Sequence, residues 1–136
     1  MYSIILDAAG PAILIVFGVI FGGLLSALIL LVETLLLWRL RWASLGRSFL
    51  GALLANVASG ILGFLWFSVY LVRAEPPGLI FYAGSFVLSI LVEAGVLMLL
   101  KRAARQENWR ASLIVNTASY ALIWVAVLIW RVSQGA

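Results

Sequence analysis

The stretch "LVETLLLWRLRW", residues 31–42, sets a glutamate inside an apolar run and then ends that run in tryptophan and arginine. No other charge lies between Asp7 and Glu33. A carboxylate in hydrocarbon is costly, so Glu33 must be hydrogen-bonded, neutralised or in use. The composition supports the membrane setting. Of the 136 residues 65% are hydrophobic and 10% charged, and the mean hydropathy is +1.19, well outside the range of soluble domains.

Four apolar stretches, about 11–38, 49–72, 78–100 and 111–130, each reach the roughly 20 residues that a helix needs to cross hydrocarbon. They predict an all-α integral membrane protein with four transmembrane helices in a single membrane domain, 1–136. The longest polar interval, "KRAARQENWR" at 101–110, is expected to be a loop with little more than one helical turn. The apolar run after "MYSIILDAAGP" is too long for a signal-peptide core and has no Lys or Arg before it, so the first span is expected to be retained.

Seven of the nine Lys and Arg fall in two short loops: Arg39, Arg41 and Arg47, then Lys101, Arg102, Arg105 and Arg110. The positive-inside rule puts both loops in the cytoplasm, where these cations meet anionic lipid or a partner. The loop with Arg73, Glu75 and the Pro-Pro-Gly turn, together with both termini, is expected outside. Trp38, Trp42 and Trp109 beside the basic loops, and Tyr70, Tyr82 and Trp130 toward the other side, read as interfacial belts.

Set against itself with an offset of 60, the chain aligns residues 31–43 with "LVEAGVLMLLKRA" and "LLANVASGIL" with "LIVNTASYAL"; eleven of the 32 positions from 31 to 62 are identical. Leucine matches arise easily by chance, and the polar matches carry more weight. Glu33 pairs with Glu93, Asn56 with Asn116 and Ser59 with Ser119. A tandemly duplicated helical hairpin is the expectation, repeat 1 at 8–73 and repeat 2 at 74–136. Each hairpin returns to the side where it began, so the copies are parallel repeats about a pseudo-twofold axis along the membrane normal.

Residues equidistant from a hairpin tip lie at equal depth. Glu33 and Asn56 flank one tip symmetrically, Glu93 and Asn116 the other, so each Glu lies roughly 8–12 Å inside the basic boundary at about 1.5 Å per residue. Ser59 and Ser119 follow on the same helical faces. Small residues mark the expected packing seams: Gly18, Gly22 and Ser26; Ala52, Asn56, Ser59 and Gly63; Ser85, Ser89 and Glu93; Ser112, Asn116 and Ser119.

This polar layer has two readings. As a structural clasp, wholly or partly protonated carboxyls donate to Asn or Ser oxygens and fix the register of the hairpins, at about 0.6–2 kcal/mol per bond. As a cation or proton site, two carboxylates with Asn and Ser oxygens supply hard ligands. No polar face runs right across the helices, which favours the clasp.

With no Cys or His, disulfides, thiolate metal sites and imidazole relays are excluded. No catalytic motif is legible, and neither catalytic nor metal-ligating residues are expected. The basic charge is assigned to topology and lipid, not nucleic acid. The expected function is that of a non-catalytic accessory, assembly or lipid-contact subunit of a larger membrane complex; the alternative is an oligomeric cation or proton channel or transporter using the paired Glu. Membrane lipids and other membrane subunits or further copies of the chain are the expected partners. Bound lipid is expected and no cofactor is, while pigment and quinone, which bind without His, stay open.

Overall fold

A computed structural model describes the backbone of residues 2–73 and 78–133, and the side chains of 18–69, 78–129 and 131–133. Glu75 and the two prolines of the outer turn lie outside the described residues, as do the side chains of Asp7, Tyr70, Arg73 and Trp130 and the proposed repeat boundary at 74. The described chain is all helix, with no strand: α1 (Tyr2–Arg39), α2 (Leu45–Arg73), α3 (Leu79–Leu100) and α4 (Arg105–Ser133). Each contains a segment long and apolar enough to cross a membrane. They pack in a ring, α1 on α2 and α4, α3 on α2 and α4, with no close approach across either diagonal among the described residues. Short connections at one end make sequence neighbours antiparallel, as in an up-down four-helix bundle.

Helix boundaries differ most from the sequence expectation in α1 and α4, and α2 begins at Leu45 instead of 49. Helix α1 begins at Tyr2, not near 11. Helix α4 begins at Arg105, so only Lys101–Ala104 of the polar interval is connection. The loss of hydropathy at 101–110 marks where apolar surface ends, which is not where the helix ends. Glu107 in the first turn of α4 suits the positive end of the helix dipole, and the Asn108 amide already donates to Ala104 O at 2.9 Å.

The α1–α2 connection closes by a Schellman motif: the Trp42 amide donates to Leu37 O at 3.0 Å and the Arg41 amide to Trp38 O at 2.9 Å. Arg41 therefore takes a left-handed conformation, φ 57°, where glycine is the usual residue. The hydrophobic contact of the motif joins Trp42 and Leu37, both buried. Trp42 is thus not the interfacial residue that its basic neighbours suggested. Its ring lies across Gly51, where an added Cβ would stand 3.0 Å from Trp42 Cζ3. Trp38 and Trp109 are exposed near the same end, and Tyr82 and Trp124 nearer the other.

The core sits at the end that carries the basic loops: Leu37, Trp42, Ala52, Leu97, Ala111 and Val115. Burial repeats along the chain. Residues 33, 34, 37, 48, 52 and 55 are buried, and so are 93, 94, 97, 108, 112 and 115, each sixty positions on. Away from this end few of the described side chains are buried. Gly18, Gly22 and Gly63 have no neighbour within 4 Å of where a Cβ would stand, so among the described residues nothing packs closely on the glycines of the expected seam Gly18–Gly22–Ser26. Tight packing occurs instead at Gly51, against the side chains of Trp42 and Leu97, and at buried Ala52 and Ala55. Half-buried Trp66 covers Gly84 at 3.1 Å from an ideal Cβ and stacks on Phe81.

Candidate functional site: a glutamate–asparagine–serine layer

Glu33 is 1% exposed and Glu93 2% exposed, depths at which a carboxyl requires hydrogen-bonding partners. The ring order of the helices supplies them from both sides. Asn56 on α2 donates its amide N–H to Glu33 Oε2, and the Ser119 hydroxyl on α4 donates to Glu33 Oε1. Asn116 on α4 donates to Glu93 Oε2 at 2.7 Å; Ser89 on α3 itself and Ser59 on α2 reach Glu93 Oε1 at 3.3 and 3.5 Å. Each glutamate takes its Asn from its own hairpin and a Ser from the other. All six residues named from the sequence meet in one layer that joins the four helices.

The asparagines are held by their own helices. Asn56 Nδ2 also donates to Ala52 O, and Asn116 Nδ2 to Ser112 O, both at 2.9 Å. The backbone thereby orients each amide nitrogen toward a carboxyl, so Asn is the donor where the sequence reading had Glu donate. The serines can serve either way. Ser119 Oγ stands within reach of both Glu33 and Val115 O, the latter at 3.0 Å, and a hydroxyl has one hydrogen. With Glu33 ionised, Ser119 gives that hydrogen to the carboxylate. With Glu33 protonated, Glu33 donates to Ser119 Oγ and the serine donates to the backbone.

Toward the basic loops the layer is closed by the apolar core, and beyond it lies a second polar group. Trp42 Nε1 donates to Asn108 Oδ1 at 2.7 Å, and Asn108 Nδ2 to Lys101 O at 2.8 Å. Lys101 Nζ donates to Trp42 O at 3.0 Å and pairs with Glu107 at 2.6 Å. Lys101, expected to face lipid or a partner, thus braces the two connections against each other. Arg39, Arg41, Arg47, Arg102, Arg105 and Arg110 are exposed. Buried Ser112, whose hydroxyl donates to Ile90 O at 2.8 Å across α3 and α4, was read only as part of a seam. Asn108 and Ser48, which are buried sixty positions apart, were missed. Only their matching offset of sixty positions could have drawn attention to them.

On the other side of the layer lies a cavity of about 520 Å³. Its floor includes Glu33, Asn56, Glu93 and Asn116; Ser26, Gly60, Ser85 and Tyr120 stand farther from the basic loops. No group of three or more acidic, Cys or His residues suited to a metal ion occurs among the described residues. The geometry defines a four-helix chain of membrane-spanning dimensions with one buried acid pair. No protein-family model, curated protein or solved structure matches the chain.

Proposed function

We propose that the chain is a non-catalytic four-span membrane protein, an accessory, assembly or lipid-contact subunit of a larger membrane complex, in which the polar layer is a structural clasp. The observation that carries this reading is that both buried glutamates are bonded to the two helices beside them and sit on an apolar core that separates them from the basic loops. In this proposal the bundle is a duplicated hairpin about a pseudo-twofold axis, and the burial pattern at offset sixty supports it. The basic loops face the cytoplasm and both termini lie outside.

The outer faces are apolar on all four helices, as in Phe64, Leu79, Leu99 and Ile129, and surfaces of this kind meet lipid or other membrane helices. A groove of about 530 Å³ between α3 and α4 is lined by Tyr82, Phe86, Trp124 and Arg131 among others. Aromatic walls with a cation at one end suit an acyl chain and its anionic headgroup, which supports lipid contact.

The test is purification in mild detergent with quantitative analysis of what accompanies the chain. A stoichiometric membrane partner is the expected result; a chain that runs alone contradicts the subunit reading. The second reading, an oligomeric cation or proton translocator, is favoured by one observation, the cavity that reaches both carboxyls. Ion flux in liposomes that is lost in Glu33→Gln/Glu93→Gln would establish it, and no flux across several gradients would remove it.

A further inference from the structure

The cavity above the polar layer differs from a packing defect in size, lining and charge. At about 520 Å³ it lies within the roughly 300–1,000 Å³ typical of small-molecule sites, and a bare inorganic ion would leave nearly all of it unfilled. Its upper walls are mostly apolar, with Leu30, Leu88 and Ile123 beside Ser26, Ser85 and Tyr120. Its floor holds two carboxyls, two amides and the hydroxyls of Ser59, Ser89 and Ser119. This is an apolar container with convergent polar groups at one end.

The charge on that floor has no basic counterpart among the described residues that line the cavity. The titratable groups that face the cavity from the four helices are Glu33 on α1, Glu93 on α3 and Tyr120 on α4; no basic side chain lines it, and α2 contributes none of either sign. Ionised, the two carboxyls need compensation that only protons or a guest cation can bring. Tyr120 adds an aromatic ring, held edge-to-face against Phe86 at 4.9 Å, and aromatic faces attract organic cations. Leu37 and Leu97, each 1% exposed, close the cavity toward the basic loops, so the guest enters from the opposite side or from between the helices.

We propose that this cavity binds a lipophilic organic cation, with an ammonium-type head at Glu33 and Glu93 and an apolar body against the apolar walls. The head replaces the hydroxyl donors at the carboxyl oxygens, and Ser119 then donates to Val115 O, which already lies 3.0 Å away. The proposal goes beyond the subunit reading and is independent of it, because a clasp closed by protons and a clasp closed by a guest hold the helices alike.

The experiment is equilibrium binding to the full chain in detergent, with 4-phenylbutylammonium as the cationic probe and 4-phenylbutanol as its neutral counterpart. Wild type is expected to bind the ammonium at least about tenfold tighter than the alcohol, the scale of one charge-assisted contact. Glu33→Gln/Glu93→Gln removes that preference. Leu88→Trp, which fills the wall and spares the acids, weakens both probes and keeps the test decisive if the double variant fails to fold. Equal affinity for the two probes in wild type overturns the proposal, as does a preference that survives in Glu33→Gln/Glu93→Gln or an affinity for both probes that Leu88→Trp leaves unchanged. Loss of ammonium binding in about 150 mM sodium overturns it in favour of an inorganic ion, beyond the ordinary screening expected of that salt.

Discussion

The two ends of the bundle are built on opposite principles. At the basic-loop end, Trp42, Leu37, Leu97, Ala52 and Val115 pack to near-complete burial, and Asn108 and Lys101 tie the two connections together through Trp42. Toward the other end, glycines and serines line a cavity between the helices. The glutamate layer is the border. Small residues therefore mean different things in the two places: at Gly51 the missing Cβ admits the indole of Trp42, while at Gly22 it would have no neighbour within 4 Å.

The comparison is most open to challenge through its apolar core. Leu97→Ala is expected to destabilise by about 2–5 kcal/mol, as large-to-small changes in packed cores do. Phe64→Ala, 68% exposed at the other end, is expected to stay within about 0.5 kcal/mol. Reversible unfolding in mixed micelles measures both, and similar losses would mean that the ends do not differ in packing.

The glycines sharpen the contrast. Gly51→Ala sets a methyl 3.0 Å from Trp42 Cζ3 and 3.4 Å from Leu97 Cδ2, so the indole must shift, at about 1–3 kcal/mol. Gly22→Ala meets nothing within 4 Å and is expected to stabilise α1 by about 0.5–1 kcal/mol through helix propensity. Opposite signs in thermal midpoints are the expected result. Asn108→Ala leaves the Trp42 indole N–H without its acceptor, a loss of about 1–3 kcal/mol that should also alter the tryptophan emission. Arg41→Gly relieves a left-handed backbone and is expected to stabilise by up to about 1 kcal/mol.

How much of this was legible in the sequence follows from what is rare in it. Acids and amides are scarce in an apolar chain, so Glu33, Glu93, Asn56 and Asn116 stood out, and their spacing on hairpins gave a common depth. Four helices were legible from length and hydropathy alone. The core at the basic end was not, because Trp42 within "WRLRW" carries the composition of an interface while its role comes from a Schellman turn that folds it inward. Asn108 was hidden in the polar interval for a similar reason: the helix continues past the apolar surface, and hydropathy does not register that. The glycine seam on α1 failed because GxxxG-like spacing permits close approach without requiring it.

The central claim is that each glutamate binds across the boundary between the two hairpins. A double-mutant cycle between Glu33 and Ser119, with Glu33→Leu and Ser119→Ala made singly and together, isolates that bond from the contacts inside either hairpin. The account predicts a coupling of about 0.6–2 kcal/mol, matched in sign by the Glu93 and Ser59 cycle. Additive losses in both cycles would contradict it.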